Sequence, residues 1–246
     1  MAKQSGILPL IGTLDGVNYY MRKGKPFARK ANGGFTAKAI KKSPNMIRVR
    51  ETYTEFGNTS HVKKIFKNSL SPFFGNQKDE TLHSRMMQLF LKIKDCDPTS
   101  ARGKRQVSLG LQTTEGKHLL TSFDFTPHPL VLPNSAYSDT TFTYTVNDFN
   151  LNTMYFRNGA THIELCLGIL VFDFEILKAT LFASDALTIA KGTPLTNFSL
   201  TPAETPVENG MHIAIIGYRY VQELNGEFYP LKDKMVYGLR VVEITD

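Results

Sequence analysis

Cysteine is scarce in this chain of 246 residues: Cys96 and Cys166 are its only two, and no CxxC pair occurs. Neither has the spacing of a zinc site or a dithiol redox centre. Cys166 lies inside an apolar strand-like run, where a thiol behaves as a small hydrophobe. Long apolar runs are also missing. A stretch such as Cys166 to Phe172 is far too short to cross a bilayer, and Pro9 and Gly12 interrupt the N-terminus before a secretory apolar core can form. These absences predict a soluble chain with no transmembrane segment, cytoplasmic at synthesis.

The common signatures of catalysis are lacking too. There is no GxxxxGK[ST] loop, no GxGxxG, no HExxH and no GxSxG elbow. His61, His83, His118, His128, His162 and His212 stand singly on different segments, so neither a metal nor a cofactor is expected. His162 and His212 open two apolar strands and are candidates to be neighbours. Two close carboxylate pairs exist, Asp95 with Asp97 and Asp173 with Glu175, and they read most simply as a helix-ending loop and a strand end. Without a nucleophile, base and oxyanion donor in recognisable relation, a non-enzymatic protein is expected.

What the chain does have is a division of charge. Residues 1 to 108 hold 21 Lys and Arg against 7 Asp and Glu, net +14, whereas residues 109 to 246 are net −7. A basic front and an acidic back suggest a surface made to meet something acidic: nucleic acid, a headgroup, or the acidic half of another copy. Hydrophobic content of 41% with 21% charged residues is that of a folded chain.

Residues 6 to 30 read as three short strands, with Asp15-Gly16 and Lys23-Gly24-Lys25 at the turns. Tyr19 and Tyr20 must then face opposite sides. Residues 31 to 42, with Gly33-Gly34 and three lysines, read as a mobile arm. Ser43-Pro44 opens a helical stretch. Val49, Tyr53 and Phe56 recur at helical spacing, and Val62, Ile65, Phe66 and Leu70 do so on a different face. Either the helix breaks near Gly57-Asn58, with Thr59 capping a second one, or a single helix is covered on two sides inside an assembly. Lys78 to Lys94 is a second helix, with Leu82, Met86, Leu89, Phe90 and Ile93 as its stripe.

From Gln106 onward the pattern reads as β throughout. The first element is a hairpin over residues 106 to 126 that turns at Glu115-Gly116, and residues 127 to 139 follow as a loop. Thr140 to Val146 alternates, the strand through Ile163 to Phe174 is apolar on both faces, and Asn225-Gly226 turns a strong hairpin. The expected fold is α+β: an N-terminal β-meander and two amphipathic helical segments over residues 1–105, then an antiparallel β-sandwich over 106–246, immunoglobulin-like or jelly-roll-like.

The candidate surface for nucleic acid or another acidic partner is Arg22, Lys23, Lys25, Arg29, Lys30, Lys41, Lys42, Arg48, Arg50, Arg102, Lys104 and Arg105. Tyr19, Tyr20 and Phe27 interleave as interface aromatics. At GTLDGVNYYMRKGKPFARK, then RVRETYTEFG and later TSARGKR, the chain resembles a family of uncharacterised bacterial proteins. That family shares an N-terminal GTxxGxxYY hairpin and an RVREN/EFG-like helix, and RVRET here replaces RVREN. The resemblance spans roughly residues 5 to 110 and implies organisation, with no activity attached. The reading that follows is a self-assembling structural subunit, a homo-oligomer forming a coat, tube or filament. Nucleic-acid binding by the same basic half and recognition by β-domain loops are the alternatives.

Overall fold

Two units divide the chain, Met1–Arg50 and Glu51–Asp246. The computed structural model describes residues 2–4, 10–31, 36–74, 79–127, 132–151, 156, 158–207, 209–232 and 236–245. In the first unit β1 (Ala2–Lys3), β2 (Gly12–Leu14), β3 (Val17–Arg22) and β4 (Lys25–Lys30) form an antiparallel sheet in the order β1-β4-β3-β2. Its turns are the expected ones. Asp15 and Lys23 stand at φ of 45° and 50°, each followed by a glycine at 73°, the left-handed pair that a two-residue hairpin requires.

Part of the expected mobile arm is a helix, α1 (Ala37–Lys42). The Thr36 hydroxyl accepts from the Ala39 amide at 3.1 Å and so caps its start. Gly33-Gly34 lies outside the described residues. A 3-10 turn at Pro44–Met46 then leads into α2 (Ile47–Ser69), which begins in the first unit and continues into the second.

No break occurs at Gly57-Asn58. A mid-helix glycine costs about 1 kcal/mol against alanine, and burial of the helix's later turns outweighs it. Thr59 is buried in that packed face together with Lys63, Phe66 and Leu70, so it does not cap a second helix. On the other side Tyr53 is 79% and Phe56 48% exposed. A single unbroken helix is therefore present, but only one of its two apolar sides is covered, since the Tyr53 and Phe56 side is exposed rather than buried as the single-helix alternative expected.

The second unit continues with α3 (Ser71–Phe74), α4 (Leu82–Asp95), α5 (Val107–Leu111) and α6 (Thr114–Thr121). All five stripe residues of α4 are buried. The expected hairpin over 106–126 is instead the pair α5 and α6. Thr113 caps α6 by accepting from the Gly116 amide at 3.0 Å, and Glu115 sits in its first turn. Two glycines permit close packing there: a Cβ on Gly110 would lie 1.9 Å from the Ile93 carbonyl oxygen, and one on Gly116 2.0 Å from that of Gly110.

The strands are β5 (Ser135–Ser138), β6 (Thr143–Val146), β7 (His162–Asp173), β8 (Lys178–Ala183), β9 (Leu187–Ala190), β10 (Phe198–Leu200), β11 (Met211–Leu224), β12 (Glu227–Pro230) and β13 (Tyr237–Thr245). β5 falls within the stretch expected to be loop. β7 and β11 pair from Met211↔Phe172 to Val221↔His162 and form the centre of a six-stranded sheet. β8 and β9 line the far edge of β7, and β12 and β13 the far edge of β11. A second sheet has the order β10-β6-β5.

Because strand side chains alternate, the two central strands feed two cores. Leu170, Phe172, Ile213 and Ile215 pack with α4 and its neighbours. Leu165, Leu167, Ile169, Ala214 and Ile216 pack with Tyr144, Val146, Phe198 and Leu200 of the smaller sheet. Each such side chain contributes roughly 1.5–3 kcal/mol when fully buried. A register shift opposite Ala214/Ile215 puts Ile244, rather than Glu243, into the helix-side core. The chain is thus mixed helix and sheet, with an N-terminal antiparallel sheet, helices, and a large antiparallel C-terminal sheet.

Candidate docking surface

The register of β3 with β4 sorts the predicted basic and aromatic residues onto two faces. Asn18↔Arg29, Tyr20↔Phe27 and Arg22↔Lys25 are direct partners, so these six share one face. Tyr20 and Phe27 stack with ring centroids 6.1 Å apart, and the Arg29 guanidinium lies 5.5 Å over the Tyr20 ring. Arg22, Lys25 and Arg29 are exposed around this pair.

Tyr19 and Lys30 are on the reverse face, with Val17, Met21 and, from β2, Leu14. Lys23 sits at the tip, where its positive φ belongs to the turn. Lys41 and Lys42 occupy the last turn of α1 and are exposed. Arg50 is structural, because its guanidinium donates to the Ile40 and Ser43 carbonyls at 2.7 and 3.0 Å and so ties the end of α1 to α2. Arg48 is exposed.

The basic connector belongs to a different environment. Arg102 pairs with Glu51 at 3.5 Å and Arg105 with Asp95 at 3.0 Å, while Lys104 is exposed. Beside them lies a buried network. Lys94 Nζ reaches Glu55 at 2.7 Å and Asp95 at 2.6 Å, and the Gly103 amide donates to Glu55 at 2.7 Å. Burial alone would raise the Glu55 carboxyl, but these donors outweigh it and hold the group below its ordinary value. Lys94 is raised for the reciprocal reason: burial would lower it, and its two carboxylate partners prevail.

Other paired acids are structural as well. Asp97 accepts from the Thr99, Ser100 and Gln106 amides, closing the loop after α4. Asp79 accepts from the Thr81 and Leu82 amides and from Arg85, which brings its carboxyl down to about 2 against the opposing effect of burial. Asp173 accepts from the Glu175 and Ile176 amides at the end of β7. Lys63 is buried, with His83 Nδ1 at 3.0 Å, and desolvation lowers its amine, with Lys67 adding to the shift.

His162 and His212 do not meet. They pair with Val221 and Val171 at opposite ends of the β7–β11 ladder. His128 lies outside the described residues. Among the described residues no three His, Cys, Asp or Glu side chains gather as metal ligands would, and no helix is long and apolar enough to cross a membrane.

A Ser–His contact lines a hollow of about 640 Å³ between α6 and β13. There the Ser122 hydroxyl is 3.3 and 3.4 Å from the two ring nitrogens of His118. Near-equal distances place it across the ring edge rather than along either lone pair, which is not the alignment of a nucleophile with its base. Both cysteine thiols are pushed up by burial, away from the thiolate.

One further surface carries no sequence signal beyond its turn. The β11–β12 hairpin, turning at Asn225 and Gly226, leaves Leu224, Phe228 and Tyr229 exposed by 50, 44 and 49%. By the register, Glu223 and Phe228 share one face of this ribbon and Leu224, Glu227 and Tyr229 the other, and Val221 to Pro230 contains no basic residue. Comparison with protein-family models, curated proteins and solved structures gives no match.

Proposed function

We propose that this chain is a non-catalytic structural subunit that assembles with copies of itself, docking through its first fifty residues. The observation that carries the reading is a unit of strong charge whose described residues form no buried core. Residues 1 to 50 hold 11 Lys and Arg and a single acid, Asp15, net +10, and none of their described residues is buried. A small sheet needs a hydrophobic face packed against something to be stable in water. Here the apolar face bearing Leu14, Val17, Tyr19 and Met21 and the cationic face bearing Tyr20 and Phe27 both offer area to a partner. In this reading the large and small C-terminal sheets act as a β-sandwich body, immunoglobulin-like or jelly-roll-like, and the N-terminal unit is its connector.

Tyr20, Phe27 and the flanking Arg22, Lys25 and Arg29 also favour a second reading, in which the same face stacks bases and neutralises phosphates. Sedimentation over a concentration series, with electron microscopy of the same samples with and without single-stranded DNA, tests both. Ordered assemblies of protein alone are expected. A monomer at every concentration removes the first reading, and no DNA binding at low salt removes the second.

A further inference from the structure

Resting on the self-assembly reading, we infer that the basic aromatic face of the β3–β4 hairpin docks on the acidic aromatic tip of the β11–β12 hairpin of a second copy. The two surfaces are opposites in charge and alike in the rest of their chemistry. The β3–β4 face carries three cations, Arg22, Lys25 and Arg29, and no acid, whereas Val221 to Pro230 contains two acids and no cation. Each also carries aromatic area that its own chain leaves uncovered. Tyr20 and Phe27 are only half-buried, and Phe228, on the Glu223 face of the ribbon, and Tyr229, on its Glu227 face, are each about half exposed, so the end of the ribbon offers one aromatic and one acid on either side.

The tip is held ready for a partner. Phe228 packs edge-on against His162 at 4.9 Å, the Tyr229 hydroxyl donates to Glu227 at 2.9 Å, and the Glu223 amide donates to Thr161 at 2.8 Å. Asn225 and Gly226, at φ of 55° and 83°, set the same kind of two-residue turn that Lys23 and Gly24 set in the opposing hairpin. Matching two-residue turns give the two ribbons similar end geometry, which suits an end-to-face contact. Opposite charge sets their register and speeds encounter.

Because the two surfaces differ, the contact is heterologous: each copy offers one of each, and the array extends unless its rotation closes. A second consequence concerns salt. Exposed pairs are screened within about 10 Å at 0.1 M ionic strength, so assembly weakens as salt rises.

The test uses the full chain in two charge-reversed forms, Arg22→Glu with Lys25→Glu and Glu223→Lys with Glu227→Lys, followed by sedimentation. Wild type is expected to associate, and each reversed protein alone to associate at least tenfold more weakly, the order expected for losing matched charge pairs. An equimolar mixture of the two is expected to recover association: the substituted β3–β4 face, net −1 with Arg29 retained, meets the basic tip, and the native basic face meets the native acidic tip. That recovery also shows that both variants are folded.

Wild type that assembles, with either reversed protein assembling equally well, places the interface elsewhere and overturns the inference while leaving the self-assembly reading intact. Two weakened variants that do not rescue each other overturn it as well. A wild type that stays monomeric, including one whose hairpin meets its own tip, takes down the self-assembly reading and the inference together.

Discussion

The first fifty residues and the rest of the chain use charge in opposite ways. In Glu51–Asp246 the net charge is −3, and several of its cations are consumed internally: Lys94 by Glu55 and Asp95, Arg105 by Asp95, Arg102 by Glu51, Arg219 by Glu164 and Arg85 by Asp79. In Met1–Arg50 a single acid faces eleven cations, so internal pairing cannot neutralise them. The same residue types thus hold the second unit together and leave the first with an unbalanced field. A basic cluster in sequence reports function only after its acids have been located.

The comparison breaks most sharply where the second unit tolerates no change. Gly110→Ala puts a methyl 1.9 Å from the Ile93 carbonyl oxygen, and backbone rather than a flexible side chain must move. A loss of roughly 3 kcal/mol is expected, read as a shift of the urea midpoint. An alanine variant whose midpoint stayed in place would show that α4 and α5 do not approach as described.

Glu55→Gln comes next. It leaves Lys94 buried with only Asp95, and the expected cost is about 2 kcal/mol, since removing one partner of a buried pair strands the other charge. The pH dependence has the matching sign. Glu55, Asp79, Asp95 and Asp97 are all held below their ordinary values in the folded chain. Their stabilisation is complete above the unfolded carboxylate range and is lost as pH falls through the folded values, of which that of Asp79 is about 2. Thermal melts at pH 6 and pH 3 are expected to differ by roughly 2 kcal/mol. The part of that loss due to Glu55 disappears in Glu55→Gln.

Legibility in the sequence follows the range of the interactions. The hairpins at Asp15-Gly16, Lys23-Gly24 and Asn225-Gly226 are readable because a left-handed pair of turn residues is a local requirement. The α4 stripe is readable because one face meets one core. Residues 106–126 mislead because Val107, Leu109 and Leu111 alternate like a strand, and Glu115-Gly116 resembles a turn. The signal that favours helix there is Thr113 followed by Glu115, an N-cap with an acid in the first turn.

The charge boundary near residue 105 lies beyond the boundary of the compact units at 50/51, since Arg102 and Arg105 meet acids supplied by α2 and α4. No local pattern reveals such pairing. Of the predicted surface, the structure brings together Arg22, Lys25, Arg29, Tyr20 and Phe27 through strand register, which a sequence shows once its turns are known. The acidic tip at Phe228 and Tyr229 escapes a reading of the sequence because nothing local tells an exposed strand end from a buried one.

Lys63→Met sharpens the contrast from the other side, because here the second unit carries a charge it does not use well. Lys63 is buried with a histidine nitrogen as its partner, and its amine is lowered by desolvation. A group of this sign destabilises the fold while protonated and is relieved as pH rises from its folded value towards the unfolded one. The methionine variant is therefore expected to gain about 1 kcal/mol at pH 7, with the gain shrinking towards pH 10. Equal gains at both pH values would mean that the amine is solvated.

The smallest effect is expected in the first unit. Arg22→Glu with Lys25→Glu alters two exposed, directly opposed side chains at the end of β3–β4. Its influence on the unfolding of the dilute monomer is expected to stay within about 0.5 kcal/mol. The substitution lowers the unit's net charge from +10 to +6, but both side chains are exposed, so this relief is worth little to stability. If the melt of the dilute protein fell by several degrees instead, these cations would be holding their own unit together, and the contrast between a unit that consumes its charge and one that presents it would fail at its most exposed point.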